Sequence, residues 1–442
     1  MSYRNRREWL QAVGLSLGGW SASGWLPLLA DRLSPDPRRR RHCILLWMTG
    51  GPSQTDTFDM KPGHAHGGEF QEIATNVPGV RWSEHLPQLA QHADKLAIIR
   101  GLSTKEGDHG RGTFLMRTGQ QPRGPVRYPT IGSSLSKQLA EDADSAVNFV
   151  SIAPYRAFNQ AAFGPGFLGP KYAPLTVGAT DNLAAPATDQ AYADLRVDDL
   201  APPARIGRAQ FAGRVELWQS LQKSFLAGHA GPAPIAHDTV YRRAIQLMGS
   251  DISRAFDLSL EPASVREAYG KGRFGQGCLM ARRLVEHGVP FVEVSLGFSD
   301  SGNFGWDTHQ NNFAAVKALS GELDRGWSML LAELEQRGLL ESTTILWMGE
   351  FGRTPKINDN AGRDHFPNAW TCVLGGGGIR GGQAFGRTSE DGNEVAEGKV
   401  DVGDVLATLC AAVGVDPGHE NISDQGRPVR IADGTPIREV LR

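Results

Sequence analysis

Three short stretches of this chain bring together the residue types that hold metal ions and oxyanions. In the first, Asp307 and His309 stand two apart in Gly-Trp-Asp-Thr-His, so an extended backbone would turn both to one face. Carboxylate and imidazole together suit zinc, manganese or iron. The same aspartate could instead cap a helix opening at Gln310, leaving His309 on the surface. In the second stretch Glu350, Arg353, Arg363, Asp364 and His365 follow one another through a glycine-punctuated loop. In the third, Gly107-Asp-His-Gly-Arg-Gly places His109 and Arg111 at the start of a helical run that stops at Gly119. Amides and the positive dipole end of a helix receive anions there. Asp56 and Asp59, on a flexible loop beginning Thr49-Gly-Gly-Pro, add two more oxygen donors. Arg111, Arg353 and Arg363 would hold an oxyanion, with Arg111 and Arg353 serving catalysis beside His109. An imidazole such as His109 can be phosphorylated, accept a proton or ligate a metal, and residue type does not choose among these.

These loops need strands to aim them. Ile345 to Met348 is a short apolar run of the kind that fills a parallel sheet, Ile44 to Met48 is similar, and Phe291 to Leu296 alternates apolar residues as a strand does. All three are expected as inner strands of a mostly parallel, doubly wound α/β sheet, with the loops at their carboxyl ends. Leu86 to Ala97 reads as a helix and Ala97-Ile-Ile as an edge strand. Arg273–His287 and Phe313–Arg337 are expected helices leading into the second and third strands, and Asp401–Val415 is an amphipathic helix near the end. Residues from about 150 to 270 read as a helical and loop insertion covering the site.

Composition narrows the function. The chain has 442 residues, enough for one large core, and its 46 basic against 48 acidic residues give no global field for nucleic acid. Its four cysteines, Cys43, Cys278, Cys372 and Cys410, show no metal-binding spacing and read as buried thiols. Near the start, Arg6-Arg7 precede an uncharged, moderately apolar segment from Gln11 to Ala30, which resembles a twin-arginine export signal. It implies a periplasmic or otherwise extracytoplasmic protein, and the segment is close to the length of a membrane anchor. Residues 1–41 are expected to be signal and linker, and 42–442 the α/β domain.

The segments ILLWMTGGPSQTDTFD, DHGRGTFLMRTG, GWDTH, MGEFGRTP and GRDHFPNAW, with DVGDVLATLCAAVGV closing the domain, together resemble the alkaline phosphatase and sulfatase superfamily. Within it they are most similar to the bacterial family of unknown function numbered 1501. The resemblance implies that Asp307, His309 and His365 share one metal. It places Glu350 where an aspartate opens an Asp-His-Gly motif, with Phe351 in place of that histidine, so one second-site ligand is missing. It also puts His109 at the position of the covalent nucleophile. His109, Glu350 and Asp56 or Asp59 would then rebuild a second site.

Two functions follow as expectations. One is an exported metal-dependent hydrolase or transferase of phosphate or sulfate esters, with an anionic ester or polysaccharide-type substrate. The other is a catalytically inactive anion-binding or assembly protein on the same fold. A divalent metal is expected, with zinc, manganese and calcium not distinguished; substrate and oligomeric state are left open.

Overall fold

The computed structural model describes residues 41–140, 145–178, 192–197, 200, 205–229, 231–297 and 304–442. Arg6-Arg7 and the apolar segment after them, expected to be an export signal, lie outside the described residues. Among those described, no helix is long and apolar enough to cross a membrane.

Eight strands form the central sheet, labelled here in chain order: β1 His42–Met48, β2 Leu96–Leu102, β3 Phe149–Ile152, β4 Leu175–Val177, β5 Phe291–Leu296, β6 Thr343–Gly349, β7 Trp370–Gly376 and β8 Gln383–Phe385. Across the sheet the order is β8-β2-β7-β6-β1-β5-β3-β4. Among the described strands of this sheet only β7 runs against its neighbours; the other neighbouring pairs are parallel. The three expected inner strands lie side by side, with Ile44 opposite both Val292 and Ile345.

Alternation along β1 explains why the sheet is covered twice. Ile44, Leu46 and Met48 enter one apolar cluster with residues of the helices Arg273–Glu286 and Asn312–Gln336. Cys43, Leu45 and Trp47 point the other way, into a cluster with residues of the helices His109–Thr118, Ile131–Leu139 and Val402–Ala412. A strand apolar on both faces can be satisfied only by helices on both faces. The four thiols are buried and free, and burial pushes each upward in pKa.

Three local expectations need correction. Ala97 to Ile99 is not an edge, since β2 pairs with β7 on one side and β8 on the other. The run before it forms the 3-10 helix Leu89–Lys95 rather than a longer α-helix. Asp307 caps no helix, because the helix after it begins at Asn312 with Asn311 at its cap. The stretch from 150 to 270 supplies part of β3 and all of β4, then the helices Arg208–Gly228 and Pro232–Met248.

Candidate metal centre

The carboxyl ends of β1, β5 and β6 place Gly50, Asp307 and Glu350 together. Gly50 has a φ of +107°, and a Cβ there would lie 2.4 Å from the Asp307 backbone nitrogen. Only glycine permits this approach. Its amide donates to Glu350 Oε1 (2.8 Å), tying the first loop to the end of β6.

Around Asp307 stand three imidazoles. His309 Nε2 is 3.1 Å and His365 Nε2 3.3 Å from Oδ1, while His109 Nε2 is 3.3 Å from Oδ2. The ligand atoms of His109, Asp307 and His365 lie within 4.8 Å of one another. Each ring is held by its other nitrogen: Nδ1 of His109 to Glu350 Oε1 (2.8 Å), of His309 to Asp364 Oδ1 (2.8 Å), and of His365 to the Gly107 carbonyl (2.7 Å). Committing Nδ1–H to an oxygen leaves Nε2 with its lone pair facing inward, which is how metal-binding histidines are oriented.

That arrangement fits a metal ion. His309 Nε2 and His365 Nε2 are only 3.0 Å apart, and with both Nδ1 atoms acting as donors their lone pairs face each other. A cation between them removes the repulsion. Separations of 3.0, 3.1 and 3.3 Å among these two nitrogens and Asp307 Oδ1 approach the edge of about 3.3 Å expected for a tetrahedral ion with bonds of about 2.0–2.1 Å. His109 Nε2, though 3.3 Å from Asp307 Oδ2, is buried without a well-directed hydrogen-bond partner.

Two groups of the cluster, His109 and Asp307, have strongly shifted proton affinities. Burial opposes charge on His109, yet its contacts with Asp307 and Glu350 prevail and carry its pKa up to about 9. Burial likewise opposes the Asp307 carboxylate, but His109, His365 and Arg353 hold it far below the ordinary range. A raised histidine stabilises the fold fully below its ordinary pKa of 6.5 and loses that contribution as pH rises through about 9. A depressed aspartate contributes above its ordinary pKa of 3.8 and loses it as pH falls through the lower folded value. Chelator-treated protein should therefore melt at a lower temperature at pH about 9.5 than at pH about 6.5, with His109→Gln showing a smaller drop. Equal drops in parent and variant would remove His109 as the cause.

The arginines take a different part from the one expected of anion-binding groups. Arg353 is fully buried, donating Nε to Gly51 O (3.0 Å), Nη1 to Arg363 O (3.2 Å), and Nη2 to Gly50 O and to Asp307 Oδ1 (2.6 Å). Arg363, equally buried, holds Asp56 in a two-point pair (2.7 and 2.9 Å) and donates to the carbonyls of His66, Thr354 and Pro355. Neither keeps a free face for a ligand. Arg111 lies outside, its side chain 58% exposed and paired with Glu106 (2.7 Å).

The acidic groups divide in the same way. Asp56 accepts from Arg363 and from Asn312 Nδ2 (2.8 Å), and Asp59 from Lys61 (3.1 Å) and Thr388, so both carboxylates serve internal contacts rather than the cluster. Glu350 reaches His109 but not as a co-ligand with an aspartate; it sits behind the ring and orients it. Phe351 fills the neighbouring space, its ring 4.9 Å from that of His109 and 4.5 Å from that of His365. Phe158 stacks on His109 from the other direction (4.2 Å, 7°). The Gly107 carbonyl is the functional group that residue patterns did not single out, and Asp364 was named only as a member of the charged loop. The adjacency of Asp364 to His365 was visible, but not its reach to His309.

A model of the family described as "Protein of unknown function (DUF1501)" matches residues 40–441. No curated protein matches the chain. Among solved structures, the lipoteichoic acid synthase LtaP from Listeria monocytogenes is similar at 8% identity, covering 92% of this chain and 79% of that one, with a TM-score of 0.42. The phosphonate monoester hydrolase SpPMH from Silicibacter pomeroyi is similar at 13% identity over 90% and 76%, with a TM-score of 0.37. A protein in the alkaline phosphatase superfamily from Vibrio parahaemolyticus is similar at 10% identity over 85% and 67%, with a TM-score of 0.33. Likeness of this degree concerns the course of the chain and carries nothing about substrate.

Proposed function

The chain belongs to the DUF1501 family, and for it we propose a single-metal centre that acts on phosphate or sulfate esters. The observation that carries this reading is the convergence of three Nε2 atoms on Asp307, each ring fixed from behind by an oxygen acceptor. His109, Asp307 and His365 would hold the ion, with His309 as the more exposed fourth donor, its side chain 44% accessible. When bound, a divalent ion supplies Lewis acidity toward an ester oxygen and lowers the pKa of water.

The protein's own residues prepare that chemistry. Arg353 neutralises part of Asp307 and fixes its carboxylate by a 2.6 Å contact, while Glu350 and Asp364 hold two rings in one tautomer. Phe158 and Phe351 exclude water from His109, which strengthens electrostatic contacts at the centre. A panel of chromogenic phosphate and sulfate esters, run with and without added zinc or manganese, tests the proposal. Metal-dependent release of the alcohol is expected, and release that chelation does not alter would refute it.

A second reading, a binding protein without turnover, draws support from His109 standing where the resemblance puts a nucleophile and from Phe351 filling the neighbouring position. Tight, metal-dependent oxyanion binding with no release from any ester would favour it.

Export remains part of the proposal. Replacing Arg6 and Arg7 by lysine should keep the protein in the cytoplasm, since the paired arginines are what the export receptor reads. Normal export of the double variant, seen by cell fractionation, would remove the periplasmic assignment.

A further inference from the structure

We infer that the centre is matched to singly charged esters, sulfate monoesters or phosphodiesters, rather than to the dianion of a phosphate monoester. The inference rests on the ester reading above and narrows it. The groups contacting the cluster carry an unusual balance. Asp307 is at its middle, and Glu350 and Asp364 stand directly behind His109 and His309 at 2.8 Å each. Among the described residues, one guanidinium, that of Arg353, contacts the cluster against these three carboxylates. A divalent ion brings the whole assembly to about neutral, not to the strongly positive potential that draws in a dianion.

Arg363 and Arg111, the other two arginines of the charged loops, do not alter this balance. Arg363 is cancelled by Asp56 in a pair with both side chains fully buried, and Arg111 is turned to solvent against Glu106 and Asp108. A second negative charge on the substrate would therefore meet Asp307 and its neighbours while the guanidinia of Arg111 and Arg363 are committed elsewhere. Removing a doubly charged group from water into such surroundings is unfavourable, and a monoanion loses much less.

One side of the site is apolar. Phe158 lies flat on His109, and Tyr155 and Phe304 continue the aromatic surface, with ring centroids 5.0 Å (Tyr155–Phe158), 4.7 Å (Tyr155–Phe304) and 5.3 Å (Phe158–Phe304) apart. Phe158 and Phe304 are only partly buried. The three pairs of rings meet at 82°, 76° and 49° and give the site an apolar wall.

Calorimetric titration of the zinc-loaded full chain with phenyl sulfate, diphenyl phosphate and phenyl phosphate, at pH about 8 where the last is a dianion, tests this without relying on turnover. At least one of the two monoanions should bind about tenfold or more tightly than phenyl phosphate, and which one separates sulfate from phosphodiester chemistry. Asp364→Asn removes one carboxylate charge and should shift the ratio toward phenyl phosphate by about fivefold. Tighter binding of phenyl phosphate by the parent would overturn this inference and leave the ester reading standing. Binding of none of the three would overturn both.

Discussion

His365→Ala should strip the protein of most of its metal, leaving well under half of the parent's content after dialysis against metal-free buffer. The ring contributes one of few donors, and the loss leaves His309 Nε2 facing a gap where a second nitrogen stood 3.0 Å away. Lost ligands at such sites are hard to replace because the remaining donors are held by their own hydrogen bonds. His365 is partly exposed, with 24% of its side chain accessible, so truncation should cost little stability. Elemental analysis reads the result directly. Parent-like metal in the variant would mean that the ion is bound elsewhere.

The second large effect is on stability rather than metal. Asp56→Ala leaves the Arg363 guanidinium buried without its carboxylate, and removing one partner of such a pair costs about 3–5 kcal/mol. Denaturant unfolding should show the loss, with the folded fraction keeping its full metal content. This pairing of outcomes separates a structural aspartate from a ligand. A variant that folds normally but has lost its ion would return Asp56 to the metal site.

The sheet was largely legible in the sequence because β1 and β6 carry continuous apolar runs, a pattern that suits a doubly covered strand, while β5 alternates apolar residues with Glu293 and Ser295. The interior position of β2 was not, since its outer neighbour β8 is three residues long and comes almost 300 positions later. At the site, the Asp-x-His spacing and the Arg-Asp-His triplet identified groups that do lie together around Asp307. The arginines show the limit of residue types. Arg353 and Arg363 announce positive charge, but whether a guanidinium faces a ligand depends on how many backbone carbonyls close around it, and that is settled by loops far apart in sequence. Glu350 illustrates the same point for a carboxylate, which can ligate a metal or stand behind a histidine that does.

Location of the ion is the most direct test. Crystals of the full chain grown with zinc, measured at the zinc absorption edge, should give one strong anomalous peak between the Asp307 carboxylate and the Nε2 atoms of His109, His309 and His365. Zinc found only at other positions, with this cluster holding protons or water, would contradict the metal centre and the ester chemistry built on it.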